Sequence, residues 1–90
     1  MTKALISVTG LDATGIIAKV ATKLSEMNIN ILDITQTILG GYFTMMMVVD
    51  VSACAIPVAE LSLRMEEMGK EKNLSIRLQR EEIFQAMHRI

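Results

Sequence analysis

A chain of 90 residues with 51% apolar side chains has the length and the core of a single domain, expected to span residues 1–90. A formal net charge of −1 with interleaved signs excludes any general attraction to nucleic acid or to an anionic membrane. No stretch approaches the ~20 apolar residues of a membrane span. Cys54 is the only cysteine, which excludes an intrachain disulfide and suits a reducing compartment. Met1-Thr2-Lys3 runs straight into a strand with no signal-peptide pattern, so a cytoplasmic location is expected.

Lys3 to Thr9 alternates, with Ala4, Ile6 and Val8 on one face and Leu5 the apolar exception on the other, as in a half-buried strand. A two-glycine loop follows, and a helix is predicted from about Thr14 to Met27, with Asp12 or Thr14 as its cap. Ile16, Ile17, Val20, Leu24 and Met27 form its apolar stripe. Asn28–Leu39 and Tyr42–Val51 are expected to form a hairpin around Gly40-Gly41, a pair suited to a two-residue turn with positive φ at both positions. In that register opposing residue numbers sum to 81. Ile38 then meets Phe43, Gln36 meets Met45, Ile34 meets Met47 and Leu32 meets Val49, and this face is expected to be core. Ile29 and Ile31 fall out of phase with Leu32 and Ile34. Either a bulge sits near Ile31-Leu32, or those isoleucines face something outside the protomer.

Pro57 opens a second helix running to about Asn73, with Val58, Leu61, Met65 and Met68 as its stripe and Gly69 as a weak point in its last turn. Leu74, Ile76 and Leu78 mark a fourth strand. Glu81–Ile90 reads as a short C-terminal helix with Ile83, Phe84, Met87 and Ile90 on one side. The order strand, helix, strand, strand, helix, strand predicts an α+β, ferredoxin-like βαββαβ fold. Its four-stranded antiparallel sheet carries two helices on one face, with strands one and three central.

On such a fold, function has to come from the loops. The first loop lacks the cysteine pair of a metal carrier, and His88 is the only imidazole, so no metal site and no metal cofactor are expected. No arginine lies between Met1 and Thr44 to hold an acyl phosphate at that turn, and the open sheet face lacks the aromatics that read single-stranded RNA. The scattered serines have no base beside them, which leaves no catalytic residue to name and predicts a protein that is not an enzyme. A strand-to-helix turn does point backbone N–H groups at one spot, which suits a small carboxylate.

Val8-Thr9-Gly10-Leu11-Asp12-Ala13-Thr14-Gly15-Ile16-Ile17, followed by Met27-Asn28-Ile29-Asn30-Ile31, resembles an ACT domain, the amino-acid-sensing module of metabolic regulators. Asp33-Ile34-Thr35-Gln36-Thr37, Tyr42-Phe43-Thr44-Met45 and Ile83-Phe84-Gln85-Ala86-Met87 make it similar to the small standalone ACT proteins of the glycine-cleavage-regulator kind. The resemblance implies an amino-acid site made by Asp12, Ala13, Thr14, Gly15 and Ile16 together with Asn30 and Ile31, across a dimer interface. Topology adds a constraint of its own. The second strand spans about 30 Å at ~3.3 Å per residue, so one protomer cannot bring Asn30 to the Asp12 loop. Pairing of that edge strand with its copy in a second subunit can. The expectation is therefore a non-enzymatic, homodimeric regulator that binds a small amino acid and signals to a separate protein. The alternative is a ligand-free interaction module docking through its C-terminal helix and an open-face patch of Leu5, Tyr42, Met46 and Val48.

Overall fold

The computed structural model describes residues 2–11, 15–71 and 73–80. The elements run β1 (Lys3–Gly10), α1 (Ile16–Glu26), β2 (Asn30–Leu39), β3 (Tyr42–Asp50), α2 (Val58–Glu71) and β4 (Ser75–Arg80). They form one antiparallel sheet in the order β2-β3-β1-β4, so the central and edge strands are those expected for a ferredoxin-like fold. The helix expected over Glu81–Ile90 lies outside the described residues.

The core lies between the sheet and the helices. Ala4, Ile6 and Val8 of β1, Phe43, Met45, Met47 and Val49 of β3, and Ile76 and Leu78 of β4 are buried against Val20 and Leu24 of α1 and Leu61 and Met65 of α2. The period-2 and period-3.6 patterns thus meet at one layer. Cys54 is a free thiol packed at the margin of this core, in the role of a small apolar side chain.

Both helices end in the same way. Asn28 and Asn73 adopt positive φ, 59° and 57°. The next residues, Ile29 and Leu74, donate their N–H groups to the carbonyls of Leu24 at 2.9 Å and Gly69 at 2.7 Å. These are Schellman closures with Asn at the left-handed position, and they set the direction in which β2 and β4 leave. Asn28 and Asn73 therefore belong to the turns rather than to the strand and helix expected from periodicity. Gly69 is buried because the β4 entry passes against it: a Cβ there would lie 2.8 Å from the Leu74 carbonyl oxygen. What looked like a flaw in the last turn is a close approach between helix and strand.

The hairpin register follows the sum of 81 from Leu39↔Tyr42 down to Asp33↔Val48, with Gly40 and Gly41 at φ 59° and 84°. Beyond Asp33 it shifts by one, so that Ile31, not Leu32, opposes Val49. The bulge absorbs the phase break. Ile29 is consequently buried at 5% exposure, and Ile31 packs against the core; neither isoleucine faces outward as a free interface residue.

The expected core face holds on β3 and fails on β2. Ile34 and Ile38 are 43% and 71% exposed, as is Leu32 at 40%, and Gln36 beside them is exposed too. The apolar helix-side residues of β1, β3 and β4 are buried, whereas those of β2 from Leu32 to Ile38 are exposed.

Candidate functional site

The strand-to-helix turn is bounded by two glycines with different reasons for being glycine. Gly10 ends β1 and is buried; a Cβ on it would collide with the Leu74 side chain, which lies over it. Gly15 stands at the start of α1 with φ 72° and ψ −2°, and nothing within 4 Å would touch a side chain there. Its requirement is the left-handed backbone alone. Gly15 occupies the N-cap and has no side chain to bond the helix N–H groups, which corrects the expectation that Asp12 or Thr14 would take that position. α1 has no acidic side chain in its first turn, so its N-terminal N–H groups face no carboxylate of that turn. Asp12, Ala13 and Thr14 lie outside the described residues; Gly15 is the N-cap of α1 and Ile16 its first residue.

Beside this turn lies a groove of about 410 Å³ lined by Ile17, Gln36, Thr37, Ile38 and Phe43. It is apolar but for Gln36 and Thr37. Gln36 is the one polar side chain in the otherwise apolar row Leu32, Ile34, Gln36, Ile38.

Asn30 sits at the far end of the sheet. In register it opposes Asp50, which opposes Lys3, whereas Gly10 opposes Phe43 and Phe43 opposes Ile38. Eight residue steps separate Asn30 from Ile38, about 26 Å of strand at ~3.3 Å per residue. One protomer therefore does not join the two halves of the expected site. Asn30 is exposed, and Ile31 leans on the core.

The Asn30 end has its own polar cluster. The Asp50 Oδ1 accepts hydrogen bonds from the Ser52 hydroxyl and from the Ser52 N–H at 2.9 Å, and the Ser52 Oγ in turn accepts from the Thr2 N–H at 2.8 Å. The Ser52 hydroxyl bond, then the Ser52 backbone bond, hold the Asp50 carboxyl below its ordinary range. Among the described residues no three His, Cys, Asp or Glu side chains converge as a metal site, and no helix is long and apolar enough to cross a membrane.

Residues 2–79 match the family described as the ACT domain. A UPF0237 protein of Bifidobacterium longum is 50% identical over 90 residues, covering all of both chains. Among solved structures, an ACT domain protein from Streptococcus pneumoniae superposes with a TM-score of 0.84 at 42% identity, covering 97% of this chain and 98% of that one. A putative glycine cleavage system transcriptional repressor superposes with a TM-score of 0.72 at 21% identity, over 88% of this chain and 45% of that one, a likeness of fold alone.

Proposed function

The chain belongs to the ACT-domain family, whose members of this kind are non-catalytic, and from that premise we propose that it is a homodimeric regulatory module sensing a small amino acid. The dimer pairs β2 with β2 antiparallel. Each ligand sits between the turn at residues 10–16 of one protomer and the Asn30 end of β2 in the other.

The observation that carries this reading is the uncovered apolar edge. Leu32, Ile34 and Ile38 are exposed on an edge strand, a pattern that invites strand pairing unless something covers it. A twofold pairing centred on Ile34 would set Asn30 against the partner's Ile38, beside the partner's turn and groove. The same pairing that buries the edge would complete the site. In such a site the turn N–H groups and Asn30 would hold the carboxylate. Asp12, and Asp50 opposite Asn30, would offer carboxylates to the ammonium. Glycine and other small amino acids are the first ligands to test, since the sequence resembles glycine-cleavage regulators. The regulated partner is a separate protein that reads the liganded dimer.

Sedimentation equilibrium and thermal shift test the two parts. Ile34→Lys should convert a dimer to a monomer, and a dimer that survives it refutes the edge pairing. Millimolar amino acid should raise the melting temperature of the native chain and fail to raise that of Asn30→Ala. No stabilisation by any common amino acid refutes sensing.

A second reading has one observation in its favour, the open-face residues Leu5, Met46 and Val48 opposite the helices. There the module binds a protein through its sheet and C-terminal segment without a ligand. Under that reading Phe84→Asp abolishes dimerisation and Ile34→Lys leaves it intact.

A further inference from the structure

β4 is the other edge of the sheet. Its inner side pairs with β1 from Ser75↔Thr9 to Arg80↔Ala4, and among the described residues no strand pairs with its outer side. A groove of about 580 Å³ is lined by Glu66 and Lys70 of α2 and by residues 74–79. Consecutive residues of β4 line it and β1 contributes none, so it runs along the outer side of the strand. A chain laid there would gain a ladder of backbone hydrogen bonds and send alternate side chains into a channel against α2.

Charge separates this edge from β2. Lys70, Arg77 and Arg80 are exposed, and among the described residues the one ion pair joins Arg64 to Glu60, so these three cations have no ion-pair partner there. Arg77 lies on the open face, in register with Ser7 and Met46. Arg80 alternates with it, on the side of the buried Ile76 and Leu78, and Lys70 stands on α2. Cations thus flank the edge on both faces, against Glu66 as the only acid lining the groove.

A second copy of β4 does not suit this edge. Antiparallel self-pairing that keeps both helix layers on one side of a joined sheet, with the strands well overlapped, centres on Arg77 or on Leu78. The first sets Arg77 directly against its own copy, and the second sets it diagonal to that copy, about 7–8 Å away, where long side chains still meet. β2 is the opposite case: it exposes Leu32, Ile34 and Ile38 and carries Asp33 as its one charge. One edge fits itself and the other fits a strand of opposite charge.

We infer that the outer edge of β4 takes up an extended acidic segment of another protein as a fifth strand, with its carboxylates set against Lys70, Arg77 and Arg80. That this protein is the regulated partner rests on the proposed function; the docking edge itself does not. In a dimer joined through β2, the two β4 edges lie at the outer ends of the sheet, so dimerisation leaves both open.

The probe is the peptide acetyl-Gly-Glu-Val-Glu-Val-Glu-Gly-amide, titrated at low salt and without amino acid into the isotope-labelled full chain. Its carboxylates share one face, and cations stand on both faces of the edge. Amide signals of β4 and of Lys70 should shift and saturate at millimolar peptide, while that of Ile34 stays in place. The counterpart with lysine for each glutamate should shift none of them. The acidic peptide N-methylated at its glutamates and valines, which keeps the charge and loses the donors, should not bind. Lys70→Ala with Arg77→Ala should weaken binding by about 2- to 30-fold, the sum of two exposed charge pairs, with the melting temperature unchanged. Equal shifts from the acidic and basic peptides, shifts centred away from β4, or native affinity in the N-methylated peptide would each overturn the inference. So would the absence of any shift, which would leave the cations as a guard against edge-to-edge pairing. None of these readouts involves an amino acid or the β2 edge, so failure here leaves the amino-acid site and its dimer standing.

Discussion

Gly69→Ala separates helix propensity from packing, because the two predict opposite signs. In an exposed helix interior the change would stabilise the protein by about 1 kcal/mol. Gly69 is instead buried where α2 meets the entry to β4. A Cβ would lie 2.8 Å from the Leu74 carbonyl oxygen and 3.2 Å from both the Ile76 N and its Cγ1. Two of those three atoms are backbone, and the Leu74 N–H is tied to the Gly69 carbonyl at 2.7 Å, so the strand entry cannot give way without loosening the turn. Overpacking of this kind costs about 1–3 kcal/mol, weighted to the upper half when backbone must move. The net expectation is a destabilisation of about 1–2 kcal/mol, with a melting temperature lower by about 4–16 °C. Guanidinium unfolding at one fixed protein concentration measures it, since association would itself shift the midpoint. Far-ultraviolet circular dichroism should show the helices intact. A Gly69→Ala variant as stable as the native chain, or more so, would refute the close approach as the reason for glycine.

Gly10→Ala should also destabilise, by about 1–3 kcal/mol, but through a side chain that can be removed. In a Leu74→Ala background the same change should be nearly neutral, giving a coupling of about 0.5–3 kcal/mol in a double-mutant cycle; simple additivity would mean the two do not meet. At the other end of the sheet, Asp50 has its folded pKa lowered, so its contribution is present above its ordinary value of 3.8 and is lost as pH falls through the lower folded value. The native chain should therefore be more stable than Asp50→Asn at neutral pH, with the difference vanishing in acid. Ser52→Ala, which removes the largest cause, should raise the Asp50 carboxyl titration seen by NMR; an unchanged titration would refute the hydroxyl bond.

Element order was legible because each segment shows one clear period and the loops are short. The hairpin register was legible because Gly40-Gly41 allows a two-residue turn and so fixes every pair down to Asp33. The bulge was visible only as a choice, since an out-of-phase Ile29-Ile31 pair is the same pattern whether the strand slips or a partner waits. The exposure of β2 was not legible at all. Alternation says which side chains share a face and is silent on whether a helix reaches over them. The close approach of two glycines to Leu74 was illegible for a related reason. Gly10 reads in sequence as a loop glycine and Gly69 as a weak point in a helix, while both make room for the start of β4, which Gly10 meets only in the folded chain. The helix cap failed locally: an Asp and a Thr were at hand, but the left-handed entry at residue 15 placed glycine there instead.

Leu74 explains Gly10, and backbone conformation explains Gly15, so the glycines no longer argue for a bound molecule. Support for a ligand site comes instead from where its two halves lie. The turn and Asn30 stand at opposite ends of β2, and the exposed apolar residues of that strand lie between them. Under the proposed pairing one event would cover the apolar edge and join the halves, so binding and dimerisation would be linked: a ligand held across the interface would strengthen the dimer by the same factor by which dimerisation strengthened binding. Ile34→Lys touches neither half, yet it should abolish amino-acid binding along with the dimer. A monomeric Ile34→Lys variant that still bound with native affinity would show that each protomer carries a complete site, and the division of the site between two chains would be wrong.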